Sequence, residues 1–188
     1  MNIQVQIFIC SRDRIGNAEK TILSQGRQFA DKYGFCIPDK IVRTANAKPC
    51  FAGSELFFSV SHSGSYWVCA VSNAELGIDL QRYQSCRMEL IAKRFFHPKE
   101  AAWVKGKGRE AFFLVWTAKE SYVKFTGEGI TDDFAAFSVV DDKGNIDVCN
   151  HAVLQHIPFL EDYALCICTP GRAAAEVVYD TDKRFVQS

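Results

Sequence analysis

The chain has 188 residues, a formal net charge of zero from 22 basic and 22 acidic side chains, and 48% hydrophobic residues, including 15 phenylalanines. That balance excludes a disordered chain and leaves no bulk basic face for nucleic acid. The eight cysteines form no Cys-x-x-Cys pair and match no zinc spacing, so they read as small buried hydrophobes of a reducing compartment. No run approaches the ~20 apolar residues of a membrane span, and the expectation is a cytoplasmic protein.

Residues 3–10 alternate with period two and predict a strand rather than the apolar core of a leader peptide. Asn17 is placed to cap a helix running to about Tyr33. A short strand is expected over 36–43, and two more over 55–61 and 66–72, joined as a hairpin through Ser63-Gly64-Ser65. Residues 76–80 form another short strand. Helices follow over 87–95 and, with Pro98 in its first turn, over 98–104. A long helix runs from about Arg109 to Phe125 and ends at Gly127. Strands are expected over 137–140 and 145–149 around the turn Asp142-Lys143-Gly144, and then over 153–157, 163–168 and 176–179. Strand-helix-strand groups fall on both sides of residues 72–77. This predicts an α+β fold of two related halves, 1–75 and 76–188, with a functional site between them.

Charge is uneven along the chain. Arg87 to Arg109 holds seven basic and two acidic residues, a local balance of +5, which suits docking of an acidic partner.

Several residues carry chemistry beside an ordinary structural alternative. In Gly77-Ile78-Asp79-Leu80-Gln81, Asp79 and Gln81 share one strand face. They are candidate oxygen donors for Mg²⁺, or a solvated strand end. Trp116, Glu120 and Lys124 are spaced by four on the long helix, with Lys119 beside them. Glu120 and the lysines suit a metal and phosphate oxygens, or a plain surface ion pair. Ser61 and His62 sit among small polar residues that can offer donors to a phosphate, or simply complete a hairpin. Lys48-Pro49 lies in a polar loop. Glu100, near a helix N-terminus, is either a general base or a dipole-stabilised carboxylate. His151 and His156 read as structural.

The order of these motifs is more specific than any one of them. Lys48-Pro49, Phe58-Ser59-Val60-Ser61-His62-Ser63, Gly77-Ile78-Asp79, Phe95-Phe96-x-x-x-Glu100 and Trp116-x-x-Lys119-Glu120-Ser121-x-x-Lys124 resemble the surfactin-synthetase-activating type of phosphopantetheinyl transferase over about 46–140. The resemblance implies a pseudo-twofold pair of α+β halves with the active site at their interface. It implies transfer of 4′-phosphopantetheine from coenzyme A to a serine of an apo acyl or peptidyl carrier protein. Asp79 and Glu120, with Gln81 as a weaker ligand, would hold Mg²⁺. Lys48, Pro49, Ser61 and His62 would bind coenzyme A around its 3′-phosphate, with Lys20 and Thr21 as further candidates. Glu100 would help activate the carrier serine, and Lys119 and Lys124 would neutralise phosphate charge. Some relatives have an acidic residue in place of Gln81 and a glycine in place of Ala47. A monomer without nucleic-acid or membrane partners is expected. A non-enzymatic relative that binds coenzyme A or a carrier protein is the alternative, and an unrelated α+β protein is a third reading.

Overall fold

The period-two run at the start of the chain forms strand β1 (Ile3–Ser11), with Val5, Ile7 and Ile9 almost wholly enclosed. The structure is a computed structural model and describes residues 2–44, 48–128 and 132–180. The Ala47 position lies outside the described residues. The chain divides into two compact units, residues up to Glu75 together with those from Ala173 onward, and Leu76–Arg172.

In the first unit, helix α1 (Ala18–Tyr33) starts where Asn17 accepts a hydrogen bond from the Lys20 N–H at 3.0 Å. It stops at Gly34, whose left-handed φ of 76° turns its N–H back to the Ala30 carbonyl. Strand β2 (Lys40–Arg43) pairs antiparallel with β3 (Pro49–Ala52). The sequence reading placed Pro49 in a loop, but as the first residue of a strand at a ladder edge it needs no donor. The hairpin β4 (Phe57–Ser63) and β5 (Tyr66–Ser72) forms as expected, with Ser63 opposite Tyr66. Strand β10 (Ala173–Tyr179) runs parallel to β1, completing the order β10-β1-β5-β4. The expected halves put this strand with the second half, whereas its ladder belongs to the first unit. Phe29 and Ala30 of α1 join Phe51, Phe58, Trp67 and Cys69 in one apolar cluster.

The second unit contains β6 (Gly77–Arg82), α2 (Met88–Phe95), α3 (Pro98–Val104) and α4 (Gly108–Thr126). Strands β7 (Val148–Cys149), β8 (Ala152–His156) and β9 (Tyr163–Thr169) follow. The sheet is antiparallel in the order β6-β9-β8-β7. Helix α4 buries residues on nearly every side, from Ala111 and Phe112 to Ser121 and Val123, as a central helix does.

The strand expected over 137–140 does not form. Val139 and Val140 are buried, and the Val139 N–H donates to Glu100 instead of to a ladder. Nor does a ladder form over 145–147, because the Asp141 carboxylate captures the N–H groups of Lys143 and Asn145, each at 2.8 Å. Among the described residues, no helix is long and apolar enough to cross a membrane.

Candidate functional site

Strand β6 lies directly on α4 because Gly77 has no side chain. A Cβ there would stand 2.0 Å from the Ser121 carbonyl oxygen and 2.5 Å from the Phe125 nitrogen. Gly77 thus faces α4, and strand alternation turns Asp79 and Gln81 the same way.

Asp79 is 2% exposed. Its Oδ1 accepts from the Lys124 ammonium at 2.7 Å, and the same ammonium donates to the Ile78 carbonyl at 3.0 Å. Its Oδ2 accepts from Gln81 Nε2 at 3.2 Å. The Gln81 amide nitrogen thus helps to orient the Asp79 carboxylate. One turn before Lys124, Glu120 is partly buried, and its carboxyl is pushed up to about 7. Burial is the main cause and the Asp79 charge the second, with Lys124 opposing both.

Two carboxylates in a desolvated setting, one raising the proton affinity of the other, form a donor set that fits a hard divalent cation. Among the described residues, no group of three or more His, Cys, Asp or Glu side chains converges.

Trp116 anchors this face of α4 in an aromatic cluster, its ring centroid 5.9–6.2 Å from those of Phe95, Phe96, Phe112 and Phe134. Lys119 turns inward instead. It is fully buried, donates to the Phe137 carbonyl at 2.7 Å and lies 3.9 Å from the Phe137 ring centroid. Its ammonium is 3.0 Å from Glu100 Oε2. Burial lowers the Lys119 pKa, while the Glu100 charge and hydrogen bond oppose that shift.

Glu100 has no exposed surface. Its Oε2 accepts from the His97 N–H at 2.9 Å, closing a capping box at the start of α3, and its Oε1 accepts from the Val139 N–H at 2.7 Å. In this arrangement the Glu100 carboxylate is engaged by two amides and an ammonium, and the Lys119 ammonium has no exposed surface. Glu100 and Lys119 hold α3, α4 and the 137–139 segment together.

Lys48, Pro49, Ser61 and His62 all belong to the first unit. The Lys48 carbonyl accepts from the Thr44 N–H at 2.9 Å, and Pro49 opens β3. Ser61 is buried and His62 exposed on β4. As neighbours on a strand they point to opposite faces. The Thr21 hydroxyl donates within the first turn of α1, to the Ile15 and Asn17 carbonyls. Sequence reasoning missed the Ile78 carbonyl as an acceptor for Lys124, since a backbone oxygen leaves no residue-type signal.

The sequence profile of the 4′-phosphopantetheinyl transferase superfamily matches residues 75–168. The chain is 39% identical over 84 residues to the 4′-phosphopantetheinyl transferase gsp of Aneurinibacillus migulanus, covering 43% of this chain and 35% of that protein. It is 34% identical over 97 residues to the 4′-phosphopantetheinyl transferase Sfp of Bacillus subtilis, covering 49% and 43%. It is 32% identical over 144 residues to the 4′-phosphopantetheinyl transferase psf-1 of Bacillus pumilus, covering 71% and 61%. The chain thus spans less than two thirds of the length of these relatives. The profile match spans half of the chain and encloses Asp79, Glu120 and Lys124, and on this ground the chain belongs to the 4′-phosphopantetheinyl transferase superfamily.

Proposed function

We propose that the protein transfers 4′-phosphopantetheine from coenzyme A to a serine of an apo acyl or peptidyl carrier protein, releasing 3′,5′-ADP. The observation that carries this reading is the Asp79–Lys124 contact beside Glu120, formed by residues within the family match.

In this reading, Asp79 and Glu120 hold Mg²⁺, with Gln81 steadying Asp79. When bound, the metal lowers the negative charge on the pyrophosphate. Lys124, which donates to Asp79 at 2.7 Å, would supply positive charge to the oxygens of the transferring phosphate. Glu120 takes the proton-accepting role first expected of Glu100, because it lies on the α4 face that carries Lys124. The serine oxygen forms a bond to the β-phosphorus as the bridging P–O bond breaks, with the electron pair leaving on 3′,5′-ADP. The serine proton passes to the Glu120 carboxylate. Lys48, Pro49, Ser61 and His62 bind the nucleotide end of coenzyme A. Glu100 and Lys119 position the helix that carries Glu120.

The reading retains the pseudo-twofold pair of halves with the active site at their interface, a cytoplasmic setting and a monomer. All three rest on the family resemblance.

The test is incubation with coenzyme A, Mg²⁺ and a panel of apo carrier proteins, followed by intact mass of the carrier. A gain of one phosphopantetheine group, lost in Asp79→Ala and Glu120→Ala, is the expected result. No gain with coenzyme A still bound identifies a non-enzymatic relative. Absence of both transfer and coenzyme A binding overturns the reading.

A further inference from the structure

The second unit holds a cavity of about 750 Å³ between α2, α3 and the start of α4, inside the ~300–1,000 Å³ range of small-molecule sites. Asp79, Glu120 and Lys124 are not among its lining residues. The buried Ala92, Phe96, Val104 and Phe112 line it, together with the half-buried Met88 and Ala101. Among the described residues, its charged lining consists of Glu89, Lys93 and Lys105, all three exposed. A Cβ on Gly106 or Gly108, which also line it, would meet no atom within 4 Å, so this side is open.

The lining dictates the chemistry of an occupant. Apart from the three charged residues, its side chains carry no hydrogen-bonding nitrogen or oxygen. A ligand that is polar along its body would give up hydrogen bonds to water there without replacement, so the body is hydrocarbon. Phe96 and Phe112 are stacked on each other with centroids 5.2 Å apart, and so form no slot for a flat ring. A flexible alkyl chain fits the irregular space that remains, with the adaptable Met88 against it. The head group faces two lysines and one glutamate, which leave one net positive charge at the opening. Among the described residues, no salt bridge ties up Lys93 or Lys105. One positive charge matches one carboxylate. A phosphate head carries more charge and finds no arginine fork in this lining.

We propose that this cavity binds the anion of a long-chain fatty acid, with the alkyl chain among Ala92, Phe96, Val104 and Phe112 and the carboxylate at Lys93 and Lys105. The proposal does not depend on the transferase reading. Each buried methylene raises affinity by up to about four-fold, so longer chains bind more tightly until the cavity is full. The head adds a charge-assisted contact that an uncharged alcohol of the same length lacks. Occupancy also engages Lys93, a cation of the last turn of α2.

The experiment is calorimetry on the full chain with octanoate, laurate and palmitate, each below its micelle-forming concentration, and with 1-dodecanol as the uncharged counterpart of laurate. Saturable one-to-one binding that tightens from octanoate to palmitate is expected, with dodecanol about ten-fold weaker than laurate. Lys105→Glu weakens laurate by about the same factor and leaves dodecanol unchanged. Ala101→Phe narrows the cavity and weakens both. Lys105 is exposed, so its variant decides the matter even where Ala101→Phe does not fold. Absence of saturable binding overturns the proposal, and so does laurate affinity that Lys105→Glu leaves unaltered. Failure of all three acids, with an apo carrier protein shielding the amides of α2 and α3 from hydrogen exchange, overturns it in favour of a protein occupant.

Discussion

Glu100 Oε2 lies 3.0 Å from Lys119 Nζ, and neither side chain has any solvent exposure. The pair is joined by two further hydrogen bonds to Glu100, from the amides of His97 and Val139. A buried ion pair adds little net stability, but removing one partner strands the other charge, at a cost of about 3–5 kcal/mol. Lys119→Met is therefore expected to lower unfolding stability by that order in urea titrations. Lys119→Met/Glu100→Gln recovers only part of the loss, because a glutamine offers one acceptor oxygen to two N–H groups. A single variant as stable as wild type refutes the structural role.

Gly77 sets how closely β6 approaches α4. The atoms that a Cβ would strike belong to the α4 backbone, at 2.0 Å and 2.5 Å, so no side chain can swing aside. Gly77→Ala is expected to cost about 3 kcal/mol, at the upper end for overpacking. It also shifts Asp79 relative to Lys124. Urea unfolding checks the first effect, and loss of carrier modification at temperatures where the variant stays folded checks the second.

Asp79 and Glu120 are proposed to share one Mg²⁺. A ligand that binds only the folded state stabilises it by mass action. Mg²⁺ is expected to raise the Tm of wild type, and to leave that of Asp79→Asn or Glu120→Gln unchanged. Lys124→Ala retains the Mg²⁺ effect and loses coenzyme A affinity. Equal Mg²⁺ responses in wild type and both neutral variants argue against this pair as the ligands.

His156 supplies one pH dependence, read as the difference between wild type and a His156 variant. Its Nε2 is 3.1 Å from the Leu114 carbonyl and 3.5 Å from the Thr117 hydroxyl of α4, and Cys166 lies opposite on β9. Burial pushes its pKa below the usual 6.5, with the Leu114 carbonyl opposing. Below pH 6.5 the unfolded chain takes up the proton more readily than the folded one. Stability from this group is therefore complete above pH 6.5 and is lost as pH falls further. The stability gap between wild type and His156→Gln should change in that direction by up to ~1.4 kcal/mol per pH unit. Parallel curves for the two proteins refute it.

Helix α2 is proposed as the surface that docks the carrier protein of the transferase reading. Lys93 lines a cavity of about 750 Å³ with Met88, Ala92 and Phe96, and Leu90 on the same helix is 59% exposed. Arg94 stands 5.1 Å from the Phe95 ring centroid. Reversing Lys93 and Arg94 to Glu is expected to raise KM for an acidic carrier and to spare coenzyme A binding. Unchanged carrier kinetics would remove this surface from consideration.

Local spacing accounts for what was legible in advance. Period two put Asp79 and Gln81 on one face of β6, and a spacing of four aligned Trp116, Glu120 and Lys124 on α4. Asn17 starts α1 through a contact within a few residues of itself. Such features depend only on neighbours along the chain, so the sequence by itself determined them, along with the motif order that marks the family.

Other features depended on partners distant in sequence. Helix α4 is buried nearly all round, so its apolar pattern did not say that Lys119 turns inward while Lys124 stays 30% exposed. Nor did the sequence show that the Val139 amide, 39 residues away, and Lys119 enclose Glu100. The parallel pairing of β10 with β1 leaves no local trace either. Whether a charged residue acts on a ligand or braces the core depends on which distant groups compensate its desolvation, and only the tertiary structure decided that.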